Sequence, residues 1–154
     1  MKPIANKRGL ILLEFLHLKN EEDVDLNIHS PLVASFVVAR QKGRLLLVFN
    51  RYRQCWELPS GRIETGETPR ECAFRELTEE SGQLADKLDF AGIAKISSKN
   101  GDITFAAIYS CYLQTVLPFE ANEEIELTTY WDFLSDIGYI NEIDRYIATL
   151  VVNG

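Results

Sequence analysis

Three glutamates, Glu76, Glu79 and Glu80, are spaced so that they could do chemistry together. At about 100° per residue on a helix they fall within an arc of about 100° on neighbouring turns. Carboxylates that close repel each other, and stability suffers unless cations compensate. Arg75 precedes Glu79 by one helical turn and can pair with it, but one guanidinium does not neutralise three carboxylates. Oxygen-only ligands at this spacing suit Mg²⁺ or Mn²⁺, which keep several waters and take phosphate oxygens as further ligands. A solvated acidic helix face is the competing reading, and the helix alone does not separate the two. The preceding residues shift the weight towards a site. Gly61-Arg62-Ile63-Glu64-Thr65-Gly66-Glu67 adds two glycines and two more carboxylates. A glycine-bearing loop lets backbone groups approach a metal or phosphate. It also feeds a helix N-terminus, whose free N–H groups favour anions.

Other residues have weaker claims. Arg51 and Arg53 could meet phosphates bidentately, or be ordinary arginines in a turn. Trp56, Trp131, Phe119 and Tyr139 could stack on a base, although core packing suits the tryptophans better. Asp136 could hydrogen-bond a base edge or simply shape its turn. His17 and His29 are far apart and suggest no metal site or triad. Cys55, Cys72 and Cys111 show no C-x-x-C pairing and read as buried, reduced thiols of a cytoplasmic protein.

The elements that must carry these residues are legible. Thr68-Pro69-Arg70-Glu71 is a capping box with proline at the first helical position, and Gly82 supplies a left-handed stop. The spacing predicts a helix over 69–81 between them. Apolar, β-branched runs predict strands over 32–39 and 44–49, with a turn at 40–43. Further strands are expected over 56–58, 88–97, 103–113 and 125–133, with Asn100-Gly101 as a hairpin signal. A helix over 142–152 presents Ile143, Ile147, Leu150 and Val151 on one face, with Asn141 as its N-cap. This order implies an α/β chain with helices packed on a mixed sheet. The apolar stretch 10–18 follows three basic residues, but Glu14 and His17 interrupt it. It reads as a strand, not a signal peptide, and it is too short to cross a bilayer. A single domain over 1–154 is expected, with 1–31 as an added strand or hairpin.

Acids outnumber bases 23 to 16, for a net charge of −7. Such a surface argues against nonspecific nucleic-acid binding, but not against phosphates that arrive with a metal. The stretch 61–83 holds six glutamates against three arginines, and Glu120, Glu123, Glu124 and Glu126 add four more. Much of the excess thus sits beside the candidate site.

The stretch 61–83, GRIETGETPRECAFRELTEESGQ, resembles the Nudix box. Gly61, Glu67, Arg75, Glu76, Leu77, Glu79, Glu80 and Gly82 match that pattern in register. Gln83 departs from it where the family prefers an apolar residue, and Ser60 stands where many members have glycine. The resemblance implies an α/β/α sandwich around a mixed sheet, with the box as a catalytic loop–helix–loop. It implies Mg²⁺-dependent hydrolysis of a nucleoside diphosphate linked to another group, with Mn²⁺ as a substitute metal. Glu76, Glu79 and Glu80 would hold the metal, Glu79 and Glu80 as its main ligands and Glu76 also as the base, and Arg75 would orient the glutamates. Glu67 and Gly82 would be structural. The carbonyl of Ser60 or Gly61 and a loop carboxylate, Glu124, would complete the coordination sphere. The box and its surroundings look like compact MutT-like members. These imply a nucleoside triphosphate substrate, such as oxidised dGTP, cleaved to monophosphate and pyrophosphate. Another diphosphate (a nucleotide sugar, dinucleotide or RNA 5′ triphosphate end) or a non-catalytic nucleotide sensor are the alternatives. A homodimer is left open.

Overall fold

The computed structural model describes residues 1–154. In chain order the strands are β1 (Ile4–Ala5), β2 (Ile11–Leu16), β3 (Leu32–Gln41), β4 (Arg44–Asn50), β5 (Cys55–Glu57) and β6 (Ser60–Arg62). Helix α1 (Pro69–Ser81) follows, then β7 (Asp89–Ser97), β8 (Ile103–Tyr112), β9 (Ile125–Trp131) and helix α2 (Glu142–Asn153). The sheet runs β1-β2-β7-β8-β3-β4-β5, with β6 beside β3 and β9 beside β4. Only β3 and β8 pair in parallel, so the sheet is mixed.

Strand alternation sorts side chains into two cores, because neighbouring residues point to opposite faces. Val38, Leu45 and Leu47 go to one face, where they pack with Ile143, Ile147 and Ala148 of α2. Val37, Ala39 and Leu46 go to the other and pack with Ala73 and Leu77 of α1. The sheet is therefore covered on both sides, in an α/β/α sandwich. No helix is long and apolar enough to cross a membrane.

Several boundaries differ from the sequence expectation. The first hairpin turn is only Lys42-Gly43, both at positive φ (52° and 76°), so its strands run longer than expected. Two left-handed residues suit the twist of a two-residue hairpin. Asn100-Gly101 lies inside a longer loop between Ser97 and Ile103, which pair across it. The start of the glycine loop is a strand, β6, in which Ser60, Gly61 and Arg62 pair with Phe36, Ser35 and Ala34. Glycine and serine have little strand preference, so this pairing is set by the neighbour and not by local composition. The amino-terminal stretch adds β1 and β2 to the sheet edge beside β7, followed by a short 3-10 turn at Glu21–Asp23.

Candidate active site

Helix α1 begins as its sequence requires. Thr68 Oγ1 accepts from the N–H of Glu71 (3.0 Å), and Glu71 Oε1 accepts from the N–H of Thr68 (2.9 Å). Gly82 closes the helix at φ 74°, donating its N–H to the Thr78 carbonyl. Ala73 and Leu77 anchor the inner face. Glu76 and Glu80 are thereby turned towards β6, and Glu79 towards solvent.

Each glutamate of the box has a distinct environment. Glu80 is buried, and its Oε1 accepts from the N–H of Ser60 (2.8 Å). Burial pushes its carboxyl up to about 9, against the pull of that N–H, and the charges of Glu124, Glu76 and Glu57 push the same way. Glu76 lies against Gly61 with its side chain only 12% exposed. Burial raises it as well, opposed by Arg75. Glu79 is 59% exposed. Arg75 ties the group together. Its Nε and Nη2 donate to the two oxygens of Glu67 (2.7 and 2.9 Å), and its Nη1 donates to Glu76 (2.7 Å) and Glu79 (3.1 Å). Those bonds hold Glu67 down to about 2 and raise Arg75 further. Glu67 is thus the carboxylate that Arg75 grips with both arms of its fork.

Glu124 approaches from the loop before β9. Its Oε1 accepts from Asn50 Nδ2 at 3.4 Å, and its carbonyl accepts from the N–H of Arg51 (2.7 Å). It is the loop glutamate whose charge acts on both Glu76 and Glu80. No three carboxylates, histidines or thiols converge on one point at metal-ligand distances. Like charges separate, and each takes a different donor: Arg75, the Ser60 N–H or Asn50. The donor chemistry nevertheless fits a hard divalent cation. It is all oxygen, it carries excess negative charge, and Glu76 and Glu80 are both raised, by burial first and by neighbouring carboxylates second.

The three candidate substrate contacts make bonds within the chain. Arg53 donates from Nε and Nη2 to both oxygens of Glu57 (2.8 and 2.9 Å), so its fork is already filled. Arg51 turns to the Asn122 carbonyl (3.3 Å) and Glu126 (3.8 Å). Asp136 Oδ1 accepts from the N–H of Gly138 (3.0 Å) and shapes an exposed turn, the role its residue type favours. Both tryptophans are buried and donate to carbonyls, Trp56 to Ile137 and Trp131 to Ser135 (each 2.8 Å).

Other supporting residues carried no sequence signal of their role. Asn50 is buried and accepts from the N–H groups of Tyr52 and Arg53 (3.0 Å each) while holding Glu124. Asn122 Oδ1 accepts from the N–H groups of Glu124 and Ile125, and its Nδ2 donates to the Glu79 carbonyl (3.3 Å). Asp144, buried on α2, accepts from the N–H of Leu58 (2.9 Å), two residues before Ser60. All three work through long-range contacts that only folding creates. Burial pushes the thiol of Cys55 up to about 12 and those of Cys72 and Cys111 up to about 11, so none offers a thiolate nucleophile.

Fold and box define a class, and residues 29–146 match the model of the NUDIX domain. The chain belongs to that family. A MutT-like protein of Streptomyces ambofaciens is 34% identical over 84 residues, covering 54% of this chain and 52% of that protein. An RNA pyrophosphohydrolase of Cereibacter sphaeroides is 49% identical over 39 residues, 25% of this chain and 24% of the other. The chain thus spans about half or less of the length of these curated relatives. Among solved structures, a Bacillus subtilis pyrophosphohydrolase superposes with a TM-score of 0.72 at 17% identity, covering 99% of this chain and 96% of that one. A MutT NUDIX hydrolase from Burkholderia pseudomallei gives 0.66 at 20% identity, covering 77% and 95%. At such identities these likenesses establish the fold.

Proposed function

We propose that the chain is a divalent-cation-dependent pyrophosphohydrolase of the MutT type, with Mg²⁺ as the working metal. Its substrate is a (deoxy)nucleoside triphosphate, oxidised dGTP included, and its products are the monophosphate and pyrophosphate. The observation that carries this reading is the pair of carboxylates, half-buried Glu76 and buried Glu80, brought against the Ser60–Gly61 backbone. Glu79, Glu80, Glu124 and the Ser60 carbonyl would hold the metal. When bound, the metal acidifies a water and offsets charge on the phosphates. Glu76 would be placed to orient the attacking water and accept its proton, its raised affinity for protons suiting a base. Arg75 keeps Glu76 in place and neutralises part of the cluster. The acidic chain thereby takes a polyphosphate without a general affinity for nucleic acid. Three buried free cysteines suit a reducing compartment, and we place the protein in the cytoplasm.

A second reading, removal of pyrophosphate from an RNA 5′ triphosphate end, is favoured by the short segment 49% identical to an RNA pyrophosphohydrolase. A panel of nucleoside triphosphates, oxidised dNTPs, nucleotide sugars, dinucleotides and 5′-triphosphorylated RNA, assayed with Mg²⁺, separates these readings. Release of pyrophosphate is expected, and chelation should abolish it. The double variant Glu79→Gln/Glu80→Gln should lose at least about a hundred-fold in kcat, since two charged ligands go at once. Undiminished turnover in that variant would refute the metal site. No turnover across the whole panel would leave a nucleotide sensor.

A further inference from the structure

The amino-terminal turn lies outside the matched domain, yet it forms one wall of a cleft beside the site. A cavity of about 440 Å³ is bounded by Lys7, Arg8, Tyr52, Arg53, Tyr139 and Asn141, among others. A narrower space of about 60 Å³ shares Arg8, Arg53 and Asn141 with it and reaches Ser60, the residue that holds Glu80. The two spaces adjoin through these shared walls and place the segment before β2 one residue, Ser60, away from the box carboxylates.

The charges on its walls are unequal in kind. Arg53 is neutralised by Glu57 through two hydrogen bonds. Lys7 and Arg8 are exposed and have no carboxylate within ion-pair distance. The Lys7 ammonium instead sits 3.8 Å from the centre of the Tyr139 ring. A ring face orients a cation without occupying its N–H donors, so they remain free for an anion. The turn itself is held firmly. Asn6 is buried, and its Oδ1 accepts from the N–H groups of Arg8 and Leu10 at 3.0 Å each. Two adjacent cations, neither in an ion pair, are thus fixed on the cleft of a chain whose net charge is −7.

We propose that Lys7 and Arg8 bind a phosphate of the substrate beyond those held at the carboxylates, which makes the amino-terminal turn a specificity-determining part of the cleft. The proposal rests on the hydrolase reading above for what occupies the site. The phosphate could belong to the polyphosphate tail of a mononucleotide or be the internucleotide phosphate of a 5′-triphosphorylated oligonucleotide. Both present the same anionic oxygens to the two cations.

Equilibrium titration with two nonhydrolysable probes tests this. One is an α,β-methylene nucleoside triphosphate, and the other a triphosphorylated dinucleotide with the same methylene bridge. The variant Lys7→Ala/Arg8→Ala should bind at least one probe about ten-fold to a hundred-fold more weakly than wild type. The dependence of log Kd on log salt should also become shallower by about one. Lys7→Arg/Arg8→Lys should retain most of the affinity, because charge is kept. Weakening confined to the dinucleotide assigns the internucleotide phosphate; weakening of both assigns the triphosphate tail. On a hydrolysed substrate the loss should fall on KM more than on kcat. Unchanged affinity for both probes, or no binding of either by wild type, overturns the proposal. Hydrolysis with an unaltered KM overturns it while leaving the hydrolase reading intact. Weakened binding without turnover of any substrate does the reverse.

Discussion

Gly61 has no room for a side chain, since a Cβ there would sit 2.1 Å from Glu76 Oε1. The obstructing atoms are the end of a flexible side chain, so alanine would displace the carboxylate and not the fold. Gly61→Ala should lose about a hundred-fold in kcat, the scale of a small misplacement of a catalytic group. Its stability should stay within about 1 kcal/mol of wild type, as urea denaturation would report. Wild-type turnover in that variant would show that the place of Glu76 is immaterial. Asp144 makes a different prediction. Burial pushes it up to about 8 from an ordinary 3.8, with Glu57 adding to the shift and Arg53, Arg8 and the Leu58 N–H opposing it. Its folded value lies above its unfolded one, so its contribution is full below the unfolded value and is lost as pH rises to about 8. Asp144→Asn keeps an acceptor for Leu58 and removes the titration. The variant should show a flatter stability profile, gaining on wild type towards about pH 8 and matching it near pH 4. Parallel profiles from thermal melts would contradict this. The reason for glycine at position 61 could be read from the box, but its steric partner could not, because Glu76 meets it only when α1 docks on β6.

At the scale of elements, α1 is the best determined by local chemistry and also the most tied to its surroundings. Its capping box and glycine stop are written in consecutive residues, and the helix starts and ends where they place it. The next residue shows where local reading stops. Gln83 departs from the apolar preference of the box. It is 2% exposed, with Nε2 donating to the Leu117 carbonyl and Oε1 accepting from the Leu117 N–H, each at 2.8 Å. The amide pins the loop that leads from β8 towards Glu124. Gln83→Leu, though closer to the family pattern, should destabilise by about 1–3 kcal/mol, because two backbone groups lose their partners. Denaturant midpoints equal to wild type would mean that water or a shifted loop replaces both bonds. Strand β6 gives the same lesson, since its pairing with β3 is imposed by a neighbour distant in sequence.

Across the whole molecule, we propose that residues 1–154 fold as one unit, with 1–31 as part of it. Leu12 and Phe15 of β2 belong to the same core as α2, and β2 covers the edge of β7. Deleting residues 1–18 should therefore expose a strand edge and empty part of that core. The shortened chain should aggregate or melt well below wild type in scanning calorimetry, and the full chain should melt in one transition. A truncated protein as stable as wild type would make the extension a separate appendage. The positions of the helices, the alternation that builds two cores, and the box with its carboxylates all follow from short-range spacing, and with them the class of fold and the helix that carries the box glutamates. The tertiary structure alone decided that Arg53 faces Glu57, that Asp136 shapes a turn, that Asn50 and Asn122 hold the Glu124 loop, and that the turn at Lys7 and Arg8 borders the cleft. Helical and strand periods are properties of neighbours along the chain. Which charges meet, and which are left free, depends on how distant segments pack.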